Sequence, residues 1–244
     1  MPAQPKRYTR RAETSYTLGA FATLELLRYR PDRVVRVYVR YAVDLKDDSD
    51  DLAHIYARCS DHNIPVEVAP DVLNRLSHKK NLDVLALFAK YPLSLDAGAD
   101  HLLLVAPRDL GNVGTMMRTA LAFGVRDIAF VGDAADAFNP HAVRASIGAV
   151  FALSFAYFET LDDYRAAFDR PLYPLTPDAP DRLGDVSFND PCTLLFGSEA
   201  RGLSPDQRTL GQPLRIDHDP ATESLNVAVA VGVALRELCR QRVG

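Results

Sequence analysis

The chain has 244 residues, 48% of them hydrophobic and 25% charged, with a formal net charge of −4 at pH 7. That length and apolar fraction suit one large domain or a small domain beside a medium one, and nothing in the composition suggests disorder over any long stretch. The acidic balance excludes nucleic-acid binding by bulk charge alone, so any such contact has to come from local basic patches.

In chain order, Lys6, Arg7, Arg10 and Arg11 open the sequence with no apolar stretch behind them, so no secretory signal is expected. Leu18–Tyr29 carries its apolar residues at mostly helical spacing and stops at Pro31. Arg33–Arg40 (RVVRVYVR) alternates Val35, Val37 and Val39 against Arg36, Tyr38 and Arg40, the pattern of a half-buried strand. A helix at Asp51–His62, a strand at Pro65–Val68, a short helix at Asp71–Ser77 and a strand at Leu82–Phe88 complete a first α/β layer. Pro92 and Gly98 sit in a stretch without period, read as a linker. The expected domains are therefore 1–91, a linker at 92–100, and 101–244. The second begins with His101–Ala106 (HLLLVA), a continuous apolar run typical of a central parallel strand. A helix at Val113–Phe123, strands at Asp127–Val131 and Cys192–Phe196, and a last helix from about Ser224 follow. The longest apolar run, Val227–Leu235, is too short to span a bilayer, so no membrane contact and a cytoplasmic location are expected. Cys59, Cys192 and Cys239 are far apart and odd in number, and the histidines are scattered; neither a disulfide framework nor a metal site is expected.

Three stretches of the second domain could carry chemistry. Gly111–Gly124 (GNVGTMMRTALAFG) joins a buried strand to a helix, and taken alone it fits simple packing by Met116, Ala120 and Phe123 equally well. Leu194–Ser204 (LLFGSEARGLS) runs from a strand into a polar cluster, the place where α/β folds hold ligands; its plain reading pairs Glu199 with Arg201 at the surface. In ESLNVAVAVGV, Ser224 reads as a helix cap with Asn226 in the first turn.

Taken together, N-x-G-x-x-x-R-T-A-x-x-F-G, then G-S-E-x-R-G-L, then S-L-N-V-A-x-A resembles the three motifs of the SpoU/TrmH family of RNA ribose 2′-O-methyltransferases, in the SPOUT class, over about Leu102–Leu238. Asn139–Phe155 is also similar to the family's segment between its first and second motifs. The resemblance implies a parallel sheet flanked by helices with a C-terminal trefoil knot, an exception to the rule against threaded chains. It implies S-adenosylmethionine as methyl donor, held by Phe196, Gly197, Ser198, Ile216, Leu225 and Asn226. It implies catalytic positions at Arg118, Asn112, Glu199, Ser224 and Asn226, and a homodimer. A guanidinium stays protonated, so Arg118 is expected to hold the substrate phosphate and the attacking oxygen rather than to act as a free base.

Thr17–Tyr91 is similar to the smaller α/β substrate-binding domain of many family members, through LGAFATLELL, NIPVEVA and VLNRLS. Where the family often has Gln-Gly after the equivalent of Leu76-Ser77, this chain has SHKKNLDVLALF. Arg10, Arg11, Arg36, Lys79 and Lys80 are the expected phosphate contacts, which position RNA without reading its sequence. The extra domain favours ribosomal RNA over tRNA as substrate. The alternative is a non-catalytic RNA-binding protein that retains the knotted fold; a dinucleotide enzyme lacks support because no G-x-G-x-x-G follows the first strand. From Leu225 to Leu235 the last helix is apolar on every face, which calls for burial all round, within its own domain or against a second copy.

Overall fold

The computed structural model describes residues 5–42, 51–77 and 82–243. Its first elements are β1 (Thr14–Tyr16), α1 (Ala20–Tyr29), β2 (Val34–Val39), α2 (Asp51–Asp61), β3 (Val66–Val68), α3 (Pro70–Leu76) and β4 (Val84–Ala89). Then come β5 (His101–Val105), α4 (Leu110–Ala122), β6 (Asp127–Val131), α5 (Pro140–Ala145), β7 (Ser154–Phe158), α6 (Leu161–Ala167) and β8 (Leu172–Pro174). The chain closes with β9 (Asp181–Arg182), β10 (Thr193–Phe196), α7 (Pro205–Arg208), β11 (Leu214–Arg215) and α8 (Val227–Val243). Contacts divide it into two units: residues 1–92 with 136–152, and residues 93–135 with 153–244.

The first unit is built on a sheet of order β1-β4-β2-β3, in which β4 runs antiparallel to β1 and β2 while β3 runs parallel to β2. The alternation expected in β2 does not hold. Val37, Tyr38 and Val39 are all buried, whereas Val35 is 44% exposed. Two causes are visible. The strand is central, and Tyr38 meets a cluster containing Val72, Leu73 and Leu76 of α3, so its second face is covered as well. The register also shifts between Val34 and Arg36, which sets Val35 outside the pleat. Phe138 and Phe151, from the distant segment, pack edge-on against Phe88 of β4 with centroid distances of 5.6 and 5.2 Å, and Phe138 also meets Tyr91 at 4.9 Å.

The second unit holds a five-stranded sheet, order β7-β6-β5-β10-β8, every pair parallel. Leu102, Leu103 and Leu104 of β5 are at most 1% exposed, as a central parallel strand covered on both faces requires. Leu103, Leu172 and Leu195 pack with Leu161 and Tyr164 of α6, while α4 packs on α8 and α8 meets β10. At the start of β5, His101 is fully buried. Its Nε2 lies 2.8 Å from the Asp96 carbonyl oxygen, so Nε2 carries the hydrogen and Nδ1 accepts from the Tyr164 hydroxyl at 2.9 Å. Tyr164 in turn meets the Thr193 hydroxyl at 2.7 Å. Burial pushes His101 down to about 4 and Tyr164 up to about 12, so both stay neutral near pH 7. No helix among the described residues is long and apolar enough to cross a membrane.

Candidate active site

Three chain segments converge beyond the carboxyl ends of β5 and β10. The first is the start of α4. Asp109 caps it, its carboxylate accepting the Asn112 N–H at 2.7 Å. The helix therefore begins at Leu110, not Val113, and Asn112 sits in its first turn.

The second segment leaves β10 through Gly197. A Cβ there would lie 2.0 Å from the Gly202 carbonyl carbon and 2.4 Å from the Leu203 nitrogen. Only glycine permits that approach. The turn is closed by the Gly202 N–H, which donates to the Ser198 carbonyl at 2.9 Å. Glu199 does not pair with Arg201 as the plain reading has it. Its carboxylate faces the backbone N–H groups of Arg108 and Asp109 and the Asn112 amide, each at 3.4 Å, at the positive end of α4.

The third segment enters α8. The cap is Asn226, not Ser224: the Asn226 side-chain oxygen accepts from the N–H groups of Ala228 at 2.9 Å and Val229 at 3.4 Å. Ser224 lies exposed before the helix begins. An amide at the cap both satisfies the first N–H groups and keeps an NH2 free to donate, and that NH2 reaches Asn112 Oδ1 at 3.3 Å. Asn226, Asn112 and Glu199 thus form one hydrogen-bonded chain tying two helix starts to the loop after β10.

Beside this chain lies a cavity of about 440 Å³. Phe196, Gly197, Ser198, Ile216, Leu225 and Asn226 line it, as do Asn112, Glu199 and Ser224. Its wall also includes residues that sequence reading missed: Leu175, Thr176 and Pro177 after β8, Arg208 of α7, and His218. No local pattern marks these positions, since they reach the cavity only through the chain's path back to the sheet. Arg208 pairs with Asp178 at 2.7 Å and donates to the Leu203 carbonyl at 3.0 Å. The Thr176 hydroxyl first, and the Arg208 guanidinium after it, hold the Asp178 carboxyl below the usual carboxylate range.

Arg118 is not part of the cavity wall. It is exposed on α4, six residues and about 9 Å along the axis from Asn112, with no hydrogen-bond or ion-pair partner among the described residues. Of the other cations expected to meet RNA, Arg10 and Arg11 are exposed, Arg36 is paired with Glu67 at 2.7 Å, and Lys79 and Lys80 lie outside the described residues. The burial expected all round α8 is not met within one chain. Ala228, Val231, Ala234, Leu235 and Leu238 are buried, but Val229 and Val233 are 53% and 41% exposed.

Residues 100–236 match the SpoU rRNA methylase family. The chain belongs to that family. It is similar to an uncharacterised tRNA/rRNA methyltransferase of Synechocystis sp., with 37% identity over 58% of this chain and 53% of that one, so the match spans about half the relative's length. It is also similar to the 23S rRNA (uridine(2479)-2′-O)-methyltransferase of Streptomyces viridochromogenes, 32% identical over 73% of this chain and 68% of that protein. Among solved structures, the SpoU methyltransferase AviRb from Streptomyces viridochromogenes in complex with the cofactor AdoMet superposes with a TM-score of 0.79, covering 97% of this chain and 95% of that one at 24% identity. That likeness carries the fold, the parallel sheet flanked by helices.

Proposed function

We propose that the chain transfers a methyl group from S-adenosylmethionine to a ribose 2′-hydroxyl of RNA, with ribosomal RNA as the substrate class. One observation carries this reading: residues from all three family motifs, far apart in sequence, line or brace a single cavity. Family membership and the rRNA 2′-O-methyltransferase relative support it.

The cavity fits the methyl donor. A volume of about 440 Å³ lies in the range of small-molecule sites, and apolar walls at Phe196, Ile216 and Leu225 suit a flat adenine. Backbone at Gly197 offers polar contacts without side-chain bulk. S-adenosylmethionine supplies a methyl group already activated on a sulfonium. The chain's own residues then have to align the acceptor and stabilise the charge that develops on its oxygen. Asn112, Glu199 and Asn226 hold the cavity wall in register with α4. Arg118, charged and unengaged, holds a substrate phosphate and the attacking oxygen by charge-assisted hydrogen bonds, and its planar fork is what lysine cannot reproduce. Ser224 lies at the cavity rim, where it shapes the acceptor side.

Residues 1–91 serve as the RNA-binding domain in this proposal, with Arg10, Arg11, Arg36, Lys79 and Lys80 on phosphates. The trefoil knot belongs to it too, supported by the match of residues 100–236 to the family. Two copies pair through the apolar stripe of Val229 and Val233 on α8. A cytoplasmic location is supported by an RNA substrate and by three free thiols.

Methyl transfer from labelled donor to total ribosomal RNA tests the reading. The wild type is expected to incorporate label, and Arg118→Ala and Arg118→Lys are each expected to lose at least about 100-fold. Incorporation absent from the wild type, or equal in wild type and Arg118→Ala, removes the proposal. Near-normal turnover by Arg118→Lys removes the geometric role of the guanidinium.

A further inference from the structure

This inference rests on the reading of the cavity as the methyl-donor site. Most polar side chains in its wall have their hydrogen bonds committed to the protein. Asn112, Glu199 and Asn226 bind one another and two helix starts. Thr176 binds Asp178, and Arg208 binds both Asp178 and the Leu203 carbonyl. His218 differs. Its Nδ1 lies 2.9 Å from the Ile216 carbonyl oxygen. A carbonyl can only accept, so Nδ1 carries the hydrogen and the neutral ring presents a bare lone pair at Nε2. That nitrogen has no partner among the described residues.

The location gives the lone pair a use. His218 follows Ile216 by two residues, and both line the cavity. An apolar slot can grip a flat ring but discriminates weakly between rings of similar shape. An acceptor fixed at its margin selects for a ligand hydrogen in one place. A ligand lacking that hydrogen leaves the acceptor desolvated and unpaired, which is where strong discrimination comes from.

We propose that His218 is a specificity residue for the nucleoside end of the methyl donor. Its Nε2 accepts a hydrogen bond from the adenosine moiety, through the exocyclic amine or a ribose hydroxyl. The Ile216 carbonyl is part of the device, because it sets the tautomer that makes Nε2 an acceptor.

Calorimetric titration tests this with S-adenosylhomocysteine, with S-inosylhomocysteine (a carbonyl in place of the amine) and with the 2′,3′-dideoxyribose analogue. The proteins are wild type, His218→Leu and His218→Gln, each checked by thermal unfolding. His218→Leu is expected to weaken S-adenosylhomocysteine about tenfold. His218→Gln, whose amide oxygen can accept, is expected to recover much of that loss. In His218→Leu the analogue lacking the recognised hydrogen should bind as well as the parent, which tells amine from ribose. Affinity of His218→Leu within about twofold of wild type overturns the proposal. So does an equal loss for all three ligands, which marks a merely structural role. If His218→Leu does not fold, the wild type decides: binding both analogues as tightly as the parent overturns the proposal. Failure of the wild type to bind S-adenosylhomocysteine overturns instead the donor-site reading beneath it.

Discussion

Replacing Gly197 with alanine puts a methyl group where two backbone stretches already touch. The added Cβ would sit 2.0 Å from the Gly202 carbonyl carbon, 2.3 Å from its oxygen and 2.4 Å from the Leu203 nitrogen, and an ordinary contact begins near 3.4 Å. Backbone cannot swing aside as a flexible side chain can, so residues 202–203 have to retreat by more than about 1 Å. Overpacking of this kind costs about 1–3 kcal/mol, and a backbone obstacle places this case at the upper end. A loss near 3 kcal/mol lowers Tm by roughly 6–12 °C in a protein of this size. The functional loss should be larger than the stability loss. The stretch that has to move forms part of the cavity wall, and a misplacement of ~1 Å costs on the order of 100-fold in a positioned reaction. Gly184→Ala is the control, since nothing lies within 4 Å of a Cβ built there. Thermal unfolding, S-adenosylhomocysteine titration and methyl transfer are read for both variants. A Gly197→Ala protein indistinguishable from Gly184→Ala in all three refutes the close approach on which this reasoning depends.

Two further predictions concern other parts of the second unit. The His101 pKa falls on folding from 6.5 to about 4, so as pH drops the unfolded chain takes up the proton first. The stability held above pH 6.5 is then lost on the way down to pH 4, about 2 kcal/mol of it between pH 7.5 and pH 5. Urea unfolding at both pH values should show that loss in the wild type and a smaller one in His101→Gln; equal losses would contradict it. Val229 and Val233 lie one helical turn apart and exposed, so Val229→Glu with Val233→Glu should leave the fold intact but give the monomer mass in sedimentation, whereas an unchanged mass would remove α8 as the pairing surface.

In the second unit β5, α4, β6, β10 and α8 were legible because their patterns are local, whereas β7 was not read although it is as long as β5. HLLLV needs no tertiary information to read as a central strand, and the run after Asn226 reads as a helix wherever it packs. The three-residue strands β1 and β8 have too few side chains to show a period. α6 left a signal that could have been used: Thr160 and Asp163 form a capping box, a Thr-x-x-Asp spacing. The cap of α8 was misread because Ser and Asn are equally good at that position, and the choice fell to the Asn112 amide, which comes from a different helix. The cavity was half legible. Motif residues could be read from sequence, but Thr176, Arg208 and His218 come from segments whose only common property is where the chain leads them.

The packing of Phe138 and Phe151 against Phe88 bears on how this protein can be divided. Residues 136–152 sit in the middle of the sequence of one unit and in the core of the other, so the chain passes between the two units three times. No single cut separates them. Removing everything before residue 93 takes away Phe88 and Tyr91, the rings that Phe138 and Phe151 pack against. The two units are one inheritance in covalent terms, and an exchange of the first unit between relatives has to carry the inner segment with it.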